Sequence, residues 1–178
     1  HGDAAQAKKL ADKFVAALEH PESTAFVQSQ IGFVRMIDGD HEAALEAWEA
    51  AFDEDNSPFA GLMGALCARR CGRLNEEVQW LERIAKESKP TSPDLIALAT
   101  LADKIRGDRD ASPTTLSEEI VEELAKPVDE ANKLNVYYFA AEHWNAKGET
   151  ERARKYLERV RDHFLEDKRV CTLAALRL

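Results

Sequence analysis

The sequence predicts an all-α chain, an α-solenoid of about ten helices stacked as antiparallel pairs. Three observations predict it. Apolar residues recur three and four positions apart in every long segment, and none sustains the alternation of a strand. Capping and turn residues interrupt these segments at regular intervals. The turn glycines are periodic: Gly39, Gly72, Gly107 and Gly148 lie 33, 35 and 41 residues apart. The loop "DASPTT" absorbs the excess of the last interval. At 178 residues the chain can bury a core, and it is read as one domain.

In chain order, helices are expected over residues 3–19 and 22–38, the second ending at Gly39. "GDHEAALEAWEAAF" then opens a helix over 40–54, with Ala44, Trp48 and Ala51 on one face. Ser57-Pro58 starts a helix over 58–71, because a hydroxyl caps and a proline fits the first turn. Gly72 should end it in a left-handed conformation, and 74–88 returns. Ser92-Pro93 opens 93–106, which Gly107 should end in the same way. Ser112-Pro113 repeats the pair. Thr115 and Glu118 then have capping-box spacing before Ile120, Val121 and Leu124, giving a helix over 115–126. Helices over 129–147 and 149–165 flank Gly148, and "KRVCTLAALRL" gives a last one over 168–177. The loosest stretch, "RGDRDASPTT", is either a flexible connector or an insertion within one unit.

Fixed offsets from the glycines carry the packing. Small residues stand seven before (Gly32, Ala65, Ala141) and five after (Ala44, Ala153). Large apolar residues stand nine after (Trp48, Leu81, Leu157), and Ala51, Ile84 and Val160 follow at twelve. Small residues facing large ones let neighbouring helices interdigitate.

At these residues the chain resembles the tetratricopeptide repeat family. The family's small–turn–small–aromatic–small pattern stands as Gly32, Gly39, Ala44, Trp48 and Ala51. It returns as Ala141, Trp144, Gly148, Ala153 and Leu157, with Tyr137 at the first aromatic position. The copy around Gly72 departs at Glu77, where a small residue belongs, and the copy around Gly107 departs at Asp103 and Ser112. Asn56 replaces the closing proline of the first copy. The resemblance implies a right-handed superhelix with repeats at 25–57, 58–92, 93–133 (irregular) and 134–167, and a capping helix at 168–178. Residues 1–24 are either half of a further unit, in which case the chain is cut from a longer protein, or a capping helix.

Composition excludes several functions. The chain has 24 basic and 33 acidic residues, a net charge of −9, which disfavours nucleic acid and anionic membrane surfaces. No apolar run approaches the roughly 20 residues of a membrane span. Cys67, Cys71 and Cys171 are odd in number and contain no Cys-x-x-Cys, so small core residues are expected rather than a redox or metal pair. His41-Glu42 begins like a zinc-protease helix, but Leu45 stands where the second histidine is required. His143, beside Glu142 and Trp144, reads as a surface pair rather than an acid–base site. The carboxylates of "SEEIVEELAK" and "LEAWEAAFDED" read as solvated helix faces. Arg69, Arg70 and Arg73 end a helix, where cations complement the dipole, with an anion-binding patch as the competing reading. No catalytic residue, metal ligand or cofactor is expected.

The resemblance also implies a groove lined thirteen, ten, six and three residues before each turn glycine. These positions hold Phe26, Ser29, Phe33 and Met36; Phe59, Leu62, Leu66 and Arg69; Asp94, Ala97, Leu101 and Lys104; and Asn135, Tyr138, Glu142 and Asn145. An exposed apolar patch of that size marks an interface. Either Phe26, Phe33, Phe59, Leu62 and Leu66 hold an apolar or amphipathic peptide, or the first helix or a tight superhelix covers them. Some family members clamp chaperone C-termini with lysines and asparagines, but Ser29, Phe33, Leu62 and Leu66 stand at those positions here. The expected function is a noncatalytic scaffold that binds a peptide or protein segment, with homo-oligomers allowed. The alternative is an accessory or oligomerisation segment of a larger enzyme.

Overall fold

The structure, a computed structural model, describes residues 24–109, 111, 113, 115–163 and 168–177. Every regular element among them is helical: α1 (Ala25–Asp38), α2 (His41–Asp55), α3 (Pro58–Arg70), α4 (Leu74–Glu87), α5 (Pro93–Gly107), α6 (Glu118–Ala125), α7 (Glu130–Ala146), α8 (Thr150–Asp162) and α9 (Lys168–Ala175). The helix expected over 3–19 lies outside the described residues. The helices pack in consecutive pairs, a solenoid-like arrangement.

Most ends follow from local chemistry. Gly39, Gly72 and Gly148 are left-handed, with φ of 81°, 75° and 80°. Asn56 is left-handed as well and caps α2 where the closing proline is missing. Asp40, Ser92, Ser117 and Asp129 cap the helices that follow them by accepting backbone N–H groups. Two expectations are corrected. Gly107 is the last residue of α5 and not left-handed, and the C-cap is Asp108. Thr115 does not cap α6; its N–H and hydroxyl both donate to Asp108, so the helix starts later, behind Ser117.

The small–large rule sets the spacing within pairs. A Cβ at Gly32 would fall 2.5 Å from the Trp48 ring, and one at Gly64 would fall 2.8 Å from the Trp80 ring. Hence α1 lies close on α2, and α3 on α4. Trp48 is fully buried, donates from Nε1 to the Met36 sulfur at 3.3 Å, and meets Phe33 edge-on at 5.1 Å. In the second pair the contact runs through Gly64 and Trp80, while Ala65 and Leu81 at the expected offsets are also buried. Glu77 is tolerated because Arg69 reaches it, donating from Nε at 3.0 Å. In the irregular third unit, Glu122 of α6 accepts from Tyr137 at 3.0 Å and Tyr156 at 2.9 Å, tying α6 to α7 and α8.

The first helices of the pairs converge. α3 packs on α5 and α5 on α7. Phe59 of α3 also meets Phe139 of α7 at 5.7 Å. α9 lies on α8 and α7, and it reaches α1.

Candidate functional site

The face built by α1, α3, α5 and α7 is filled over most of its length. Phe33, Met36, Leu62, Leu66, Tyr138 and Glu142, expected to line an open groove, are buried. The reason is geometric: the units turn tightly enough for first helices to meet directly, so the Phe33, Phe59 and Phe139 rings form one chain of contacts. Between Leu62, Leu66, Phe139 and His143 only about 20 Å³ remains, room for about one water. Phe59, Arg69 and Asn145 are half-buried, and Phe26 is 68% exposed.

At the C-terminal ends of these helices the interior is charged. Arg70 donates to Glu142 at 2.9 Å and to the Tyr138 hydroxyl at 3.2 Å. Arg177, just beyond α9, donates to the same Glu142 carboxylate at 3.1 Å. Arg69 donates to Glu77 and to the Glu142 carbonyl, and Arg73 pairs with Glu42 and Glu76. The three arginines are thus spent on carboxylates, so they offer no anion-binding patch. Burial, then Arg70 and Arg177, hold His41 below its ordinary value. Cys67 is an inert interior thiol, pushed up to about 12 by burial.

His143 is the residue that sequence reasoning misplaced. It is 3% exposed, and its Nε2 lies 2.8 Å from Oδ2 of the fully buried Asp108. A carboxylate only accepts, so Nε2 carries the proton and Nδ1 keeps its lone pair. Nδ1 is buried with no partner among the described residues. Burial lowers the His143 pKa against the opposing hydrogen bond of Asp108. Burial alone would raise the Asp108 carboxyl, but hydrogen bonds from His143 and Thr115 outweigh it and hold it low. Lys147 donates to the carbonyls of Asp108, Arg109 and Ala111. The assembly pins the irregular loop after α5 onto α7. It has half of a general-base arrangement, a carboxylate orienting an imidazole, but among the described residues no nucleophile stands beside Nδ1. The signal available in the sequence was a histidine one residue from the buried Trp144, facing an aspartate just after the α5 helix.

Among the described residues the face stays open at its N-terminal end. There a cleft of about 340 Å³ is lined by Ala25, Phe26, Ser29, Asp55, Phe59, Asp94, Leu95, Leu98, Asn132 and Asn135. These side chains stand at the starts of α1, α3, α5 and α7, except Asp55 at the end of α2. All four residues expected at thirteen before a turn glycine (Phe26, Phe59, Asp94 and Asn135) meet here. The Asn132 amide donates to Asp94 at 3.0 Å and to Asp129 at 2.9 Å. Asn135 in turn donates to the Asn132 oxygen at 3.3 Å. Its own Oδ1 is buried and has no partner among the described residues.

A larger furrow of about 430 Å³ separates α2 from α4 on the other side. Its arginines are already paired: Arg73 with Glu42, and Arg83 with Asp53 while stacked on Phe52 and Trp80. That leaves it a solvated seam between helices. Among the described residues no group of three or more histidine, cysteine or acidic side chains is placed to hold a metal ion, and no helix is long and apolar enough to cross a membrane. No family model, curated protein or solved structure matches the chain.

Proposed function

We propose that the protein is a noncatalytic interaction module of the tetratricopeptide-repeat type, which takes a segment of a partner protein at the N-terminal end of its inner face. One observation carries the reading: the repeat-equivalent residues Phe26, Phe59, Asp94 and Asn135 converge on one cleft while the rest of that face is packed shut. Phe26 is 68% exposed at the rim, an arrangement that association would cover. The cleft's size suits one or two side chains of an extended segment. The position of Asp55, Asp94 and the asparagines beside two phenylalanines provides both apolar contact and directional hydrogen bonding.

Selection of short random peptides on the immobilised protein tests this. Peptides should be enriched over a bare support, and Phe26→Ser should weaken their binding without moving the melting temperature. Failure to enrich any peptide, or binding indifferent to Phe26→Ser, would overturn the proposal.

A further inference from the structure

Resting on that reading, we infer that the cleft recognises a lysine or arginine of the partner segment, flanked by an apolar residue. The direction of the polar chain carries the inference. Asp94 and Asp129 can only accept, so both claims on Asn132 must be met by its NH₂ group. Its oxygen then faces Asn135, which must present its own NH₂. Both N–H groups of Asn132 and one of Asn135 are therefore consumed inside the protein. The buried atom of this group left without a partner among the described residues is an acceptor, Asn135 Oδ1, on a side chain that is 6% exposed and lines the cleft. A buried acceptor left unmet costs about 1–3 kcal/mol, so a donor from a ligand recovers that penalty.

Charge agrees with this direction. Among the described residues the lining holds two carboxylates, Asp55 and Asp94, and no cation. Four helix N-termini around the cleft carry about half a positive charge each, which alone would favour an anion. Asp55 beside α3, Asp94 in α5 and Asp129 at the cap of α7 outweigh them, leaving about one net negative charge. Phe26 and Phe59 add aromatic surface to the lining, against which an alkyl stem can pack. A net charge of −9 on the whole chain favours encounter with a basic partner.

The peptide selection distinguishes the two levels. The selected peptides should carry lysine or arginine beside an apolar residue. Replacing that basic residue by glutamine should weaken binding about tenfold, the worth of a charge-assisted hydrogen bond. Asp94→Asn should weaken the basic peptide by a similar factor and leave its glutamine counterpart unchanged. Because Ser92 and not Asp94 caps α5, the variant should fold, and Asp55→Asn provides a second test at the same cleft. Enriched peptides without basic residues, or a basic preference untouched by both variants, would overturn the inference and leave the interaction module standing. Binding of spermidine with no peptide enriched would overturn both.

Discussion

The small–large packing rule makes a test whose sign depends on the structure. Gly32→Ala adds one methyl group in mid-helix. On propensity alone it should stabilise by about 1 kcal/mol. In the structure that methyl would meet three atoms of the Trp48 indole between 2.5 and 2.9 Å. The ring cannot swing away, because Phe33 and Phe59 flank it at 5.1 and 5.9 Å and its Nε1 is bonded to Met36. Overpacking of a well-filled core costs about 1–3 kcal/mol, and three contacts under 3.0 Å put this case in the upper part of that range, about 2–3 kcal/mol, so after the propensity gain a net loss of about 1–2 kcal/mol is expected. For a chain of this length that lowers the melting temperature by about 2–8 °C. Gly107→Ala is the control: it lies in a helix with nothing within 4 Å of the added Cβ, and it should stabilise by about 0.4–1 kcal/mol. Circular dichroism during heating reads both, and Trp48→Phe in the Gly32→Ala background should recover part of the loss. A Gly32→Ala protein melting at or above the parent would refute the close approach of α1 and α2.

Phe33→Asp, which the groove expectation would treat as a binding mutant of normal stability, should instead destabilise by about 4 kcal/mol or more, because a carboxylate would enter a site 3% exposed; denaturant titration reads it. Arg70→Met/Arg177→Met should cost about 3–5 kcal/mol by stranding buried Glu142, and adding Glu142→Met should recover part of that loss; two urea midpoints decide it. The folded-state pKa of His143 lies below its ordinary 6.5, so the unfolded chain binds the proton first. Its contribution to stability is therefore full above about pH 6.5 and is lost as pH falls toward the folded value. His143→Gln should reduce the stability slope in that window without abolishing it, since His41 is lowered too.

The helices were legible because their signals are local. Serine, proline and left-handed glycine act within one turn, and the offsets that pair Gly32 with Trp48 repeat within a hairpin. Closure of the inner face was not legible, because it depends on the rotation between successive pairs, which no single hairpin encodes. Hence Phe33 and Leu62 read equally well as groove or as core. His143 and Asp108 are 35 positions apart and meet only when the loop after α5 folds back. Thr115 looked like a cap for the same reason: its hydroxyl had a distant acceptor, Asp108, that outcompeted the helix end. Of the cleft, the four first positions could be named from the repeat, whereas Asp55 and Asn132 stand at none of its groove positions.

The contact of α9 with α1 alters how such an array comes apart. A linear stack frays from whichever end is weaker, one unit at a time. Here the first and last of the described helices lean on each other, and Arg177 bonds Glu142 close to that seam. Loosening either end exposes the other, so melting should be cooperative across the described units rather than progressive.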